Sequence, residues 1–300
     1  MRRGGGGVIR PASPAGLLSK PPPVAYSPGM TPLAATLRRL DRPPRTASLI
    51  VTVWGDAVVP RGGSLWLGTL QAILDPFGCR EGQVRTAMSR LAEEGWLRRT
   101  RQGRLSFYRL GPRGEEGFAA AARRIYDPPR AGRPDWDGAF RLVLAEGPAP
   151  EGLVALAPGL LLGLEDAAAS APALLARPRH PGDAAAVAQR AWPVLPQVAA
   201  GYRRFHDAFA PLATAAVPPA EALPLRLLLV HEYRRVALRD PDLPAPMLPA
   251  DWPRAGARAV AAALYRRLLA PSEAWLDAHG RAEAGALPPA VGLWSRLRDG

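Results

Sequence analysis

The stretch EGQVRTAMSRLAEEGWLRRTRQGRLSFYRL, residues 81–110, carries the pattern from which the rest of the chain can be read. Val84, Met88 and Leu91 recur at i, i+4 and i+7, the apolar stripe of an amphipathic helix over Glu81 to Glu94. Gln83, Arg85, Thr86, Ser89 and Arg90 lie off that stripe, and Gly95 ends the helix. Two short runs follow, Trp96 to Thr100 and Leu105 to Leu110, with Arg101-Gln102-Gly103-Arg104 as the turn, so a hairpin is predicted. Upstream, Leu49, Val53 and Ala57, flanked by Ile50 and Trp54, repeat at helical spacing, although the β-branched run would also suit a strand. Ser64 is placed to cap a second helix whose Leu67, Leu70, Ile73, Leu74 and Phe77 face inward, and Gly78 suits its left-handed end. Helix, helix, a tight turn through Cys79, helix and two-stranded ribbon together make a winged helix-turn-helix.

The chemistry of that unit points to DNA. A recognition helix needs one apolar face to dock and an opposite face that reaches base edges and phosphates. Arg85 and Arg90 can bond guanine O6 and N7, Gln83 can pair with adenine, Thr86 can touch a thymine methyl, and Ser89 lies on the same face. Arg98, Arg99, Arg101 and Arg104 crowd the ribbon, suited to phosphates or the minor groove. The chain holds 39 Lys and Arg against 26 Asp and Glu, a formal charge of +13. Lys20 is its only lysine, and with 35 Pro and 30 Gly this usage reads as a compositional bias, so an isolated Arg says little. Position says more: residues 80–113 hold nine Arg and three Glu, whereas everything beyond 130 is nearly neutral. A merely solvated surface would not concentrate its excess on one helix and one wing.

Other classes are excluded by what is missing. No stretch has the roughly 18 apolar residues of a membrane span, and no apolar segment follows the basic N-terminus as in a secretory signal. One cysteine, Cys79, allows no internal disulfide, which fits a reducing cytoplasm, and four histidines with it make no metal-ligand spacing. Cys79 could act as a redox sensor at a helix N-terminus, but a small residue filling a turn is the commoner reading. The glycine run Gly4 to Gly7 lacks the Gly-Lys-Ser/Thr of a phosphate loop. No nucleophile–base constellation suggests an enzyme. Residues 1–43, with recurrent prolines and no hydrophobic period, read as a disordered tail, and Met30 is an alternative start.

The segments Ser48 to Asp56 (SLIVTVWGD), Pro60-Arg61-Gly62-Gly63, Val84-Arg85-Thr86, Arg90-Leu91 and Glu94-Gly95-Trp96-Leu97 have a familiar wording. Arg124-Ile125-Tyr126, Trp136-Asp137-Gly138, His231 to Arg235 (HEYRR), Leu238 to Pro244 (LRDPDLP) and Pro249 to Pro253 (PADWP) follow in order. In this wording and order the chain resembles the PaaX family of repressors of phenylacetic acid degradation. The resemblance implies an α+β, mainly helical fold. It would hold an N-terminal winged helix-turn-helix, a central ferredoxin-like domain and a C-terminal helical domain. It also implies a homodimer on double-stranded, palindromic operator DNA, released by an aryl acyl-CoA effector such as phenylacetyl-CoA, with no cofactor and no catalytic residues. The DNA-binding positions it carries over are Gln83, Arg85, Thr86, Ser89, Arg90, Arg101 and Arg104. The expected domains are 44–128 for the winged helix, 129–182 for the centre and 183–280 for the helical part, with 281–300 a tail.

The centre departs from the family pattern. After a strand at Phe140 to Leu144, residues 146–152 (EGPAPEG) lead straight into another apolar run, leaving no room for the helix expected there. A reduced ferredoxin-like central α/β region follows. The alternative function is therefore a nucleic-acid-binding or adaptor protein that has lost effector response with this region.

Beyond 183 the chain reads as helices. Asp183 can cap one that Pro193 and Pro196 break or kink, and Asp251 can cap another, with Pro253 tolerated in its first turn. Between them lies a helix apolar on all sides, from Leu225 to Leu238. On it Glu232 falls on a buried face and needs a cation, which Arg235 or Arg239 could supply. His231-Glu232 begins like the HExxH zinc motif, but residue 235 is Arg. His231, Glu232, Arg234 and Arg235 thus have two open readings, a structural ion-pair network or effector-binding contacts to a CoA phosphate or thioester.

Overall fold

The computed structural model describes residues 30–40, 42–129, 136–150, 152–164, 171–180 and 182–298. The glycine run and the rest of residues 1–29 lie outside them. Part of the expected tail is instead helix α1, Pro32–Arg39, opened by Thr31, whose side chain accepts the Ala34 N–H, and by a proline in its first turn. Its Leu33 is buried, and the Leu33 N–H donates to Glu221 Oε2 at 2.7 Å.

Helix α2, Thr46–Val53, resolves the helix-or-strand ambiguity in favour of a helix, and a π-helical turn continues it over Trp54–Val58. That turn puts the carboxylate of Asp56 wholly inside the protein. A short strand β1, Leu65–Trp66, precedes α3, Leu67–Leu74. Ser64 does not cap α3; its Oγ accepts the distant Glu283 N–H at 3.2 Å, because the strand occupies the position where a cap would sit. Gly78 adopts φ +71° at the end of the following turn, as its position suggested.

Helix α4, Glu81–Glu93, buries Val84, Ala87, Met88 and Leu91, and Gly95 leaves it at φ +77°. Strands β2, Leu97–Gln102, and β3, Leu105–Leu110, form the hairpin. Its turn is Gly103-Arg104 rather than four residues, because Gly103 at φ +58° permits a two-residue turn and lets Arg101 pair opposite Ser106. The sheet has three strands, not two, in the order β1-β3-β2, all antiparallel. Helix α5, Pro112–Tyr126, follows.

The centre is a four-stranded antiparallel sheet of β4, Phe140–Leu144, β5, Leu153–Ala157, β6, Leu160–Leu164, and β7, Ala173–Ala176. Its order is β5-β6-β4-β7, and among the described residues no helix stands between β4 and β5. Phe140, Leu162 and Leu164 pack against Ala184, Ala188 and Ala191 of α6, Asp183–Ala191. Helices α7, Leu195–Phe209, α8, Pro219–Ala237, and α9, Arg254–His279, form the largest core with Tyr202, Phe205, Leu225, Leu229, Tyr265 and Leu268. Pro193 does end α6, and Pro196 falls in the first turn of α7. Asp251 does not cap α9: Pro253 holds the cap position, and Asp251 pairs with Arg203 at 2.8 Å.

The expected C-terminal tail is also ordered in part. A hairpin of β8, Arg281–Ala282, and β9, Gly285–Ala286, leads to Leu287, Leu293 and Leu297, all buried. The core around Leu49, Val53, Ile73 and Met88 continues into Leu223 and Leu227 of α8 and Leu276 of α9. The N-terminal helices therefore rest directly on the C-terminal ones. The fold is α+β with small antiparallel sheets.

Candidate nucleic-acid interface

Helix α4 turns Gln83, Arg85, Thr86, Ser89 and Arg90 outward, because the stripe opposite them is buried. Between α4 and the β2–β3 hairpin lies an open groove of about 900 Å³, with Arg85 and Ser89 on one wall and Arg101 and Arg104 on the other. Of the seven sequence-predicted DNA residues, four have side chains engaged with protein partners and three do not, which divides their roles. Gln83 Oε1 accepts the Arg80 N–H at 2.9 Å and so helps close the start of α4. Arg85 lies against Glu81 at 2.6 Å, both largely exposed, a pair of the kind that contributes little to stability and releases easily. Thr86 Oγ1 donates to Gly82 O, and Ser89 Oγ to Glu93 Oε1. The guanidinium groups of Arg90, Arg101 and Arg104 have no hydrogen bond or ion pair among the described residues and are exposed. In the hairpin, Arg99 is tied to Ser106 Oγ at 2.7 Å, and Arg98 lies 3.7 Å from Glu115.

Behind this surface the chain is fastened by charges that sequence reading missed. Asp56 Oδ1 accepts from Tyr126 OH and Tyr265 OH, each at 2.9 Å, and from Arg296 Nη1 at 3.0 Å. Its Oδ2 sits 2.9 Å from Arg226 Nε, close enough for a charge contact but not aligned as a hydrogen bond. Arg226 also meets Glu273 at 2.5 Å, and Glu273 holds Arg61 at 2.6 Å. Arg61 reaches Asp277 at 2.8 Å as well. Thus the turn after α2, α5, α8, α9 and the C-terminal segment share one network, largely buried around Asp56 and Arg226. Loss of solvent, and after it the neighbouring carboxylate, push the Tyr126 and Tyr265 hydroxyls well above their ordinary range, so both remain donors. A lone Arg226 inside the apolar run from Leu223 to Val230 was the available signal.

The four effector-binding candidates fall into two pairs. His231 Nδ1 lies 3.1 Å from Thr52 Oγ1, while Arg234 donates to Thr52 Oγ1 at 2.9 Å and to Ser48 Oγ at 2.7 Å. These two clamp α8 to α2. Glu232 and Arg235 pair with each other at 3.0 Å, as the i,i+3 spacing suggested, and face a separate cleft. Burial raises the Glu232 carboxyl against the lowering pull of Arg235. Burial, with Arg234 and Arg235 beside it, lowers His231 from its ordinary 6.5 to about 3. The unfolded chain thus binds a proton on this histidine that the folded chain refuses. Stability from this group is complete above about pH 6.5 and is lost as pH falls towards 3. Urea melts at pH 7.5 and 5 should show wild type losing more stability than His231→Gln; equal losses would contradict the assignment.

Burial raises the Cys79 thiol, the opposite of what a reactive thiolate requires. Among the described residues no His, Cys, Asp and Glu group could hold a metal, and no helix is long and apolar enough to cross a membrane.

Known proteins are similar to this chain. The family described as PaaX-like protein matches residues 45–114, and the PaaX-like protein C-terminal domain matches residues 192–278. The transcriptional repressor PaaX of Escherichia coli is 34% identical over 281 residues, covering 82% of this chain and 88% of its own. The solved structure of an uncharacterized protein from Mycobacterium tuberculosis is 26% identical, covering 67% of this chain and 89% of its own, with a TM-score of 0.41. With both family matches in order, and a curated relative at this identity over most of the length, the chain belongs to the PaaX-like protein family.

Proposed function

We propose that the protein is a DNA-binding transcriptional repressor, not an enzyme, that acts in the cytoplasm. It binds a palindromic operator as a dimer and is released by an aryl acyl-CoA such as phenylacetyl-CoA. The observation that carries this reading is the groove between α4 and the wing, with Arg85 on the α4 side and, on the hairpin side, Arg101 and Arg104, which have no partner among the described residues. In a winged helix-turn-helix, α4 enters the major groove and the β2–β3 tip follows a phosphate backbone or minor groove. The relative named a transcriptional repressor supports the regulatory role. Release follows from linkage, with the effector binding the DNA-incompetent arrangement more tightly and lowering operator affinity by that difference.

The strand order β5-β6-β4-β7 supports a ferredoxin-like centre stripped of its first helix. That loss favours the second reading, a nucleic-acid-binding or adaptor protein that no longer answers an effector. A gel-shift titration on the gene's own upstream DNA, with and without phenylacetyl-CoA, separates the two. Selective binding weakened by the thioester is the expected result. Selective binding indifferent to it leaves the second reading, and no selective complex overturns the repressor and leaves only a non-selective nucleic-acid-binding or adaptor role.

A further inference from the structure

One cleft is used by neither the DNA-facing surface nor the buried junction. It lies where α1 and the connector to α2 meet α7 and α8, and measures about 280 Å³. Its walls bring together Arg39 and Arg42 from the N-terminal side and Arg204, Arg235 and Arg239 from the C-terminal helices. Glu232 is the single carboxylate among these lining residues, and Arg235 already takes both of its oxygens at 3.0 Å. The guanidinium groups of Arg39, Arg42 and Arg239 have no hydrogen bond or ion pair among the described residues, and all three are exposed. Three exposed guanidinium groups held around one cleft repel one another, a cost that a bound multivalent anion would offset.

The floor is of a different character. Val194, Val198, Phe205 and Val236 line it, and Gly201 closes it. A Cβ at Gly201 would come within 3.1 Å of Val236, so this glycine is what lets α7 and α8 meet there. Cationic walls over an apolar floor match an amphipathic anion, not a bare inorganic ion. The volume is just below the range of drug-sized sites, so the cleft seats one end of a larger ligand.

We propose that this cleft binds the phosphate-bearing end of an organic anion, and that the ligand ties the α1–α2 connector to the C-terminal helices. The proposal rests on the ligand-released repressor reading for its consequence, though not for the site. Arg42 stands four residues before α2, and Arg235 adjoins Arg234, which already grips Ser48 and Thr52 of that helix. An anion drawn between Arg42 and Arg235 would therefore act on both ends of the α2–α8 contact. Arginine suits the task because its planar fork meets phosphate oxygens two at a time.

The test is calorimetric titration of the full chain with inorganic pyrophosphate, coenzyme A and phenylacetyl-CoA. It is repeated on Arg42→Glu and Arg239→Glu, exposed positions whose thermal melts report whether folding is intact. Coenzyme A is expected to bind more tightly than pyrophosphate, and each charge reversal to weaken it roughly tenfold or more. Undiminished binding in both variants would overturn the site, as would no binding to the wild type. Loss of affinity for random DNA with ligand binding unchanged would make the cleft a DNA-backbone contact instead and overturn it too. Ligand binding that depends on Arg42 and Arg239 upholds the site even if gel shifts show no selective DNA complex, in which case the repressor reading alone fails.

Discussion

Asp56→Ala is expected to cost about 3–5 kcal/mol of folding stability, the range for removing one partner of a buried ion pair. The reason lies in what remains. Arg226 is fully buried beside the lost carboxylate, and Tyr126, Tyr265 and Arg296 all lose their shared acceptor, Oδ1. None of these groups can turn to water without opening the contact between α2 and the helices beneath it. A loss of this size is a large share of the 5–15 kcal/mol that holds a typical domain together. Urea unfolding followed by tryptophan fluorescence would measure it. The accompanying double variant, Asp56→Ala with Arg226→Met, should recover part of the loss, because it removes the stranded cation and fills its volume. Glu273 would still hold Arg61 at 2.6 Å in that variant. A loss under about 1 kcal/mol, or no recovery in the double variant, would show that the junction is not sustained by charge pairing.

That junction also marks the limit of what the sequence disclosed. Helix α4 was legible because its apolar stripe is local: Val84, Met88 and Leu91 lie within two turns, and the same stripe fixes which residues face outward. The hairpin was legible from Gly103, although the turn proved tighter than its composition implied. Glu232 and Arg235 were legible as a pair because an i,i+3 spacing makes neighbours of them on any helix. Asp56, Arg226, Glu273 and Arg296 were not, because their adjacency is created only by packing between remote segments. A single carboxylate in an apolar run announces that a partner exists and nothing of where. Helix α1 escaped notice for a different reason. It has eight residues among prolines, and its anchors are Leu33 and the distant Glu221 rather than a repeating stripe. The β8–β9 hairpin has two-residue strands, too short for any period to register. Several family blocks turn out to be fastenings. Arg61 binds Glu273 and Asp277, and Asp240 accepts Tyr202 OH at 2.9 Å while Arg254 lies 3.3 Å away. The outward-facing residues of α4 were thus easier to find than the residues that hold the surrounding elements in place.

Arg85→Ala and Arg104→Ala should separate base reading from phosphate anchoring. Arg85 sits in the first half of α4, the part of a recognition helix that meets base edges, and its present partner Glu81 is exposed at 2.6 Å. Exchange of that weak pair for guanine O6 and N7 favours one base, so Arg85→Ala should lower the preference for operator over altered sites by about 1–3 kcal/mol. It should barely change affinity for random DNA beyond the loss of one charge. Glu81, left without its cation near the phosphates, would add repulsion common to all sequences. Arg104 occupies the tip of the hairpin, beside Gly103, where on the proposed reading a side chain would reach a backbone and not base edges. Arg104→Ala should weaken operator and random DNA alike and reduce the slope of log affinity against log salt by about 0.9, one phosphate contact. Titrations of both variants on operator and random duplexes, across a range of salt, would measure both quantities. Equal loss on the two duplexes for Arg85→Ala would remove it from the base-reading set. An unchanged salt slope for Arg104→Ala would place the wing tip away from the DNA, and the groove would then be bounded by α4 alone.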